Sequence, residues 1–300
     1  MRRIPRPTVP LTLGLSVLLA SCALGAGGSP TPVQHPAGDQ LVLRMEFKGG
    51  FLAPQTLLSR VPSFSLLGDG RVVVEGAQDM IYPGPALPAV LVRRLNGAGM
   101  QAVLTEVLGS GAFGSSGEFR GAQRFIMDAA DTVFILRAAG RGVTVVIYAL
   151  NEFVTSGNTG GVPADEVATY RALSHLSARL TTLDQWLPSS DWTDPGWTPF
   201  VPGSLRLVVR NATADPPDES GIANQLVPWP GSAYPLTFGA ATTIDGFRCG
   251  SVSGGEATAW YRALSTANTL TRFVNGGDRY QVIARQLLPD EPLECPGAPS

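Results

Sequence analysis

The sequence predicts an α+β protein of two similar units, each a mostly antiparallel sheet with hairpins covered by a helix. Three observations point there. Several short runs alternate apolar and polar residues with the two-residue period of strands, and turn-forming glycines join them in pairs. Fewer, longer runs place apolar residues at the helical spacing of three and four. A Pro/Gly/Trp-rich linker at 188–203 divides the chain, and the order strand, helix, hairpin recurs on either side of it. The expected units are 41–187 and 204–300, without a residue-level repeat between them.

In the first unit, Leu41 to Phe47 alternates as a strand. Ser63 to Leu67 and Arg71 to Glu75 flank Gly68-Asp69-Gly70, where glycines accept the positive φ of a tight hairpin. Tyr82 to Pro88 is expected to be an irregular loop, because its prolines and glycine fit no regular element. A strand from Ala89 to Leu95 runs into Asn96, a good N-cap. The helix that follows sets Met100, Val103, Leu104, Val107 and Leu108 on one face and closes at Gly109. Thr132 to Arg137 and Val143 to Tyr148 form a second hairpin about Gly140 and Gly142, apolar on both faces and so central. Pro163 opens the longest helix, Asp165 and Glu166 favour its first turn, and Val167, Tyr170, Leu173, Leu176, Leu180 and Leu183 form its buried stripe.

The second unit begins with a strand from Leu205 to Arg210, followed by a mostly irregular stretch at 211–245. Phe247 to Cys249 is a short strand. Ser253-Gly-Gly-Glu256 has the spacing of a capping box and opens a helix with Ala257, Trp260, Leu264 and Ala267 on one face. Arg272 to Val274 and Arg279 to Arg285 then pair across Asn275-Gly276-Gly277-Asp278.

The start of the chain reads as an address. Arg2, Arg3 and Arg6 supply a basic n-region, and Val9 to Leu19 an apolar run shorter than the roughly 20 residues a membrane span needs. Leu19-Ala20-Ser21-Cys22 then resembles the bacterial lipobox, in which small residues precede a cysteine whose thiol receives diacylglycerol before cleavage. That resemblance implies a signal peptide at 1–21 and lipidation of Cys22. It also implies palmitate and diacylglycerol chains holding the protein to the outer side of the cell membrane, since two or more chains anchor stably. An ordinary cleaved signal with an incidental cysteine is the alternative. Residue 23 is Ala, so no inner-membrane retention signal follows from the resemblance. Residues 22–40, rich in Gly, Pro and Ser, are expected to form a flexible tether with a reach of about 20–25 Å.

Charge narrows the partners. The chain has 22 basic and 24 acidic residues, three of the basic ones inside the signal, which leaves no electrostatic footprint for nucleic acid. Lys48 is the lone lysine among many arginines, alanines, glycines and prolines, the mark of a GC-rich genome. Cys249 and Cys295 form an even pair in an exported protein, most simply a disulfide. The alternative, a catalytic or metal-binding thiol, lacks histidine neighbours.

Few residues suggest chemistry. His35 lies in the tether. His175 falls on the exposed face of the long helix, with Arg171 and Arg179 one turn away and no carboxylate to orient it. Serine and cysteine nucleophile sets are thereby excluded, and no zinc, calcium or phosphate-loop spacing is present, so neither metal nor cofactor is expected. Gly97-Ala-Gly99 follows a strand and opens a helix but lacks the βαβ unit of a dinucleotide site. Asp69 and Asp278 read as turn residues, Glu256 as a cap, and Asp165 and Glu166 as helix-start acids. A carboxylate-pair hydrolase of cell-wall or extracellular polymer stays open. The candidate binding residues are aromatic: Trp192, Trp197 and Phe200 in the linker and Trp229 in the second unit, with Trp186, Tyr234 and Phe238 nearby. Such side chains stack on sugars or seat a protein partner. The alternative is that they pack the two units together.

Four stretches, PSFSLLGDGRVVV, YPGPALP, FRCGSVSG before a helix and the closing RQLLPDEPLEC, resemble envelope lipoproteins of GC-rich bacteria, a group without an assigned activity. They span both halves. The resemblance implies an envelope location and adds no reaction. The expectation is a lipid-anchored, non-enzymatic module that binds an envelope protein or a glycan.

Overall fold

The computed structural model describes residues 31–244 and 246–295. The expected signal peptide, Cys22 and the first part of the tether lie outside the described residues. From Val33 onward the chain is one compact unit. Its class is α+β, with two mostly antiparallel sheets and few helices.

The first sheet is built from β1 (Leu41–Gly49), β2 (Phe64–Leu67), β3 (Arg71–Glu75), β4 (Val90–Arg94), β5 (Gly117–Phe119), β6 (Ala130–Ala138), β7 (Arg141–Tyr148) and β8 (Thr198–Pro199). Its order is β5-β7-β6-β1-β2-β3-β4-β8. Helices α1 (Pro54–Ser59), α2 (Gly97–Gly109), α3 (Leu150–Ser156) and α4 (Ala164–Thr181) belong to the same half of the chain. The second sheet comprises β9 (Ser204–Asn211), β10 (Leu226–Pro228), β11 (Ala240–Ala241), β12 (Phe247–Ser253), β13 (Arg272–Asn275) and β14 (Asp278–Leu287), with α5 (Gly254–Leu264) between β12 and β13. Its order is β10-β13-β14-β9-β12-β11. Two pairs, β5 with β7 and β10 with β13, are parallel. The two sheets differ in strand number, eight against six, and in how a hairpin joins each. Hairpin β6–β7 joins its sheet through its first strand, and hairpin β13–β14 joins through its second.

The apolar stripes find partners. Met100, Val103, Leu104 and Val107 of α2 and Val167, Tyr170, Leu173, Leu176 and Leu180 of α4 share one buried cluster with Leu43 and Met45 of β1, Phe134 of β6 and Val145 of β7. Tyr170 keeps its hydroxyl satisfied there by donating to the carbonyl of Tyr148 at 2.8 Å. In the second half, Ala257, Trp260 and Leu264 of α5 pack with Leu205, Leu207 and Val209 of β9 and Tyr280 and Val282 of β14.

Local signals differ in how they resolve. The Asn96 side chain caps α2, accepting from the backbone N–H groups of Ala98 and Gly99 at 2.9 and 3.1 Å. The capping box expected at Ser253 does not form: Ser253 occupies the N-cap without a side-chain hydrogen bond. Glu256 turns instead to the preceding loop and accepts from the Ser232 N–H at 3.0 Å. The short helices α1 and α3 have no counterpart among the expected elements. Each is under two turns long, too brief to display a helical period.

Two connecting segments are more ordered than their composition suggests. The loop of Tyr82 to Pro88 reaches the second half, where Pro85 bridges to Asn268 and Leu87 enters the cluster around Trp260. Val33, placed in the tether by sequence, instead docks on α2. Its N–H donates to Gln101 Oε1 at 2.6 Å, and its carbonyl accepts from Gln101 Nε2 at 3.0 Å. The chain then crosses Gly68 so closely that a β-carbon there would lie 2.3 Å from the Pro36 carbonyl oxygen. Glycine is therefore required at that crossing for space. Among the described residues no helix is long and apolar enough to cross a membrane.

Cys249 on β12 and Cys295 are joined by a disulfide, with Cα atoms 6.0 Å apart. The bridge ties β12, just ahead of α5, to the segment after β14, as the even cysteine pair predicts.

Candidate functional site

The aromatic candidates are not gathered on one surface. Trp192 is buried in the cluster around α2 and α4, Phe200 in a small cluster with Val73 and Val90, and Trp229 in the cluster around Trp260. Trp229 meets Trp260 edge-on at 4.7 Å between ring centroids and Tyr280 at 5.9 Å. These contacts use the rings as packing: Trp192 and Trp229 fill clusters drawn mainly from their own halves, and Phe200 packs with residues of both. Trp186 is similarly engaged, with the Arg179 guanidinium stacked 4.0 Å over its ring.

Trp197 is the exception, half-buried beside a cavity of about 310 Å³. Its ring lies edge-on to Trp192 at 5.7 Å, and its indole N–H donates to Asp184 Oδ2 at 2.6 Å. Arg93 completes the arrangement. Its guanidinium sits 4.1 Å over the Trp192 ring and pairs with the other Asp184 oxygen. The cavity has an apolar floor from Leu91 and Leu180, hydroxyls from Thr181 and Thr182, and two carboxylates, Glu75 and Asp184. These arrive from different elements: Glu75 ends β3, and Asp184 sits in the turn after α4.

The two acids are in unlike environments. Loss of water around Glu75 pushes its carboxyl above the ordinary range, against a partial pull downward from Arg60. Asp184 keeps its charge occupied by a guanidinium and an indole N–H. Chemically, this is a partly apolar pocket with hydroxyls, a carboxyl that holds its proton to higher pH, and an indole edge. No sequence motif marks it. Glu75 closes an unremarkable strand, and the 109 positions from it to Asp184 follow no chemical spacing.

A second depression, about 830 Å³ and open to solvent, lies between α2 and α4 and contains His175. The expectation that no carboxylate stands near His175 is corrected here: Glu106 of α2 is 3.7 Å from His175 Nε2. Glu106 comes from the neighbouring helix, a relation no spacing along one helix displays. The same carboxylate takes both ends of a fork from Arg179, at 3.1 and 3.3 Å, so the helices are stapled by an ion pair at this point. Elsewhere the acids do structural work. Glu166 accepts from the Gly121 N–H at 2.6 Å, and Asp69 accepts from the Arg71 N–H at 3.1 Å.

A third region lies where the sheets face each other. Arg44 of β1 and Arg206 and Arg285 of β9 and β14 are all buried there. Arg44 donates to Ser65 at 3.1 Å and to Asp290 at 2.8 Å, and Arg285 forms a fork on Glu291 at 2.7 and 3.0 Å. Arg206 has only carbonyl partners, those of Pro292 and Glu294 at 2.8 and 2.7 Å. Its Nε has no hydrogen-bond partner among the described residues.

Among the described residues no three His, Cys, Asp or Glu side chains are grouped so as to hold a metal ion. No family model matches the chain, and neither a curated protein nor a solved structure does.

Proposed function

We propose that the chain is a lipid-anchored protein of the cell envelope, held through Cys22 on the extracytoplasmic side, that binds a partner and does not catalyse a reaction. In this reading its two halves are units of like plan, each a sheet with a covering helix. The lipobox and apolar leader support the location. The disulfide between Cys249 and Cys295 suits an oxidising compartment.

The observation that carries the binding assignment is the Trp197 cavity. A half-exposed indole beside hydroxyls and two carboxylates offers a sugar both a stacking edge and hydrogen-bond partners, which favours a glycan. Envelope glycan fractions passed over immobilised full-length protein test this. Retention by the wild type and at least a tenfold loss in Trp197→Ala, with the fold unchanged by circular dichroism, is the expected result. Equal retention by both proteins would remove the site.

One specific feature favours a second reading, hydrolysis by a carboxylate pair. Glu75, with its raised pKa, resembles a proton donor, and Asp184 shares its cavity. Asp184 is committed to Arg93 and Trp197, and so it is a poorer nucleophile or base than a free carboxylate. Glu75→Gln separates the readings: it abolishes release of soluble sugar from cell-wall polymer under the second and leaves glycan retention within a few-fold under the first.

A further inference from the structure

Charge is out of balance where the sheets meet. Asp290 answers Arg44, Glu291 answers Arg285, and Glu46 answers Lys48 at 3.0 Å. Two guanidiniums remain without a carboxylate at ion-pair distance among the described residues. Arg206, at 4% exposure, has two carbonyl oxygens and an unpartnered Nε. Arg60, just beyond α1, has the Gly49 carbonyl at 3.2 Å. Both line a single cavity of about 250 Å³ bounded by β1, α1, β9 and β14, together with Arg285 and Lys48. Buried charge is costly unless it is paired, and carbonyl dipoles compensate only part of a full charge.

We propose that this cavity is a binding site for a dianionic oxyanion, a phosphate or phosphate monoester, gripped by Arg206, Arg60 and Arg285. Two guanidiniums without a carboxylate at ion-pair distance among the described residues call for a doubly charged anion, since Glu75, Glu291 and Glu294 act on them only from farther away. The planar donor forks of arginine match the oxygens of a phosphoryl group, and three arginines line the cavity from β9, β14 and the end of α1, Arg285 contributing its charge because its fork is held by Glu291. The cost of burying this charge is visible at Arg206: its pKa is driven down first by burial and then by repulsion from Arg285, with Glu291 and Glu294 offsetting in part. Glu46 also lines the cavity, and its pairing with Lys48 keeps it from cancelling the arginines. Leu57 and Leu58 give the site an apolar wall, room for the organic part of an ester. This site is separate from the Trp197 cavity and stands whatever becomes of the glycan reading.

The test is a thermal denaturation series on the full-length protein in neutral detergent, in phosphate and in chloride at matched ionic strength. Phosphate at ten times its Kd is expected to raise Tm by about 3–6 °C over chloride. Arg60→Gln should fold normally and bind roughly tenfold more weakly, and Arg206→Met should lose the response. Should Arg206→Met fail to fold, Arg60→Gln and calorimetric titration of the wild type decide the matter alone. A parallel arm with soluble short-chain phosphatidic acid, a lipid phosphate monoester, identifies the source: a response to both ligands assigns a free phosphate, and a response to the lipid alone assigns a headgroup. Equal Tm in phosphate, the short-chain lipid and chloride, or undiminished responses in the folded variants, would overturn the proposal.

Discussion

The clusters that α2, α4 and α5 share with strands of the two sheets, and the seam between those sheets, are both buried, and they are built from opposite materials. Beneath α2, α4 and α5 the buried side chains are almost wholly apolar. In the seam they include Arg44, Ser65, Arg206, Arg285 and Gln286, with Asp290 and Glu291 supplied by the segment after β14. A helix face lets a sheet exclude water with leucines and valines alone. The seam joins two sheets through long side chains and a returning tail, so its stability depends on every donor meeting its acceptor.

Perturbation should separate the two regimes. The largest loss is expected at Trp260, the fully buried tryptophan of α5, in contact with Phe273 and Trp229. Trp260→Ala should cost about 5 kcal/mol in urea unfolding, the upper part of the range for a truncated core aromatic. Reducing the disulfide comes next. Opening a loop of 46 residues removes about 4 kcal/mol on the chain-entropy model. It also frees the tail that carries the counter-charges of Arg44 and Arg285, so Cys249→Ala/Cys295→Ala should expose the seam to proteolysis before the apolar clusters.

The third experiment probes the seam directly. Glu291→Leu strands a buried guanidinium and should cost about 3 kcal/mol, whereas Arg285→Met/Glu291→Leu should return to within about 1 kcal/mol of wild type, because a buried pair and its apolar isosteres nearly balance. No such rescue exists for Trp260.

Acid gives the smallest and most selective effect. Burial alone would raise the Glu291 carboxyl, but hydrogen bonds from Arg285 and the Leu288 N–H outweigh it and hold the pKa below the ordinary glutamate range. Its stabilisation is therefore complete at neutral pH and is lost as pH falls through the lowered value. Asp290 moves the other way: burial raises it against the pull of Arg44, so its contribution is fullest in acid and fades as pH rises through its raised pKa. Replacing the Arg285–Glu291 pair should flatten the acid limb of a stability profile. An unchanged limb would mean that the pair is not what acid attacks.

This contrast also explains what the sequence could disclose. The α4 stripe is legible because a helix of 18 residues repeats its apolar period several times, and all five of its buried residues fall where the spacing puts them. The hairpins are legible because their turns require glycine. In β9 the run Leu205-Arg206-Leu207 alternates correctly, with the leucines in the Trp260 cluster. Alternation says only that Arg206 faces the other way; it does not say whether water or a second sheet is waiting there. Arg206 therefore reads as solvent-exposed until the seam is seen. Trp192, Phe200 and Trp229 are hidden for a related reason. Each follows a strand or turn of only two or three residues, too short to show a period, and the cores they fill are assembled from strands and helices far along the chain. The Trp197 cavity depends on Glu75 and Asp184 meeting across 109 positions, which no local pattern encodes.

The docking of Val33 on Gln101 gives the molecule a mechanical property. Tension on the chain ahead of Val33 meets first the two hydrogen bonds to one glutamine amide, then the bond from the Ala139 N–H to the Gln34 carbonyl at 2.7 Å, and then the crossing over Gly68. These contacts load one after another, as a zip opens, whereas β1 is held along its length by β2 and β6 together. A pull should therefore pay out the strap of residues 33–39, roughly 25 Å at 3.3–3.6 Å per residue, before either sheet loses a strand. Val33 to Asp39 would act as a slack-taker, lengthening under load and rewinding when the load is gone.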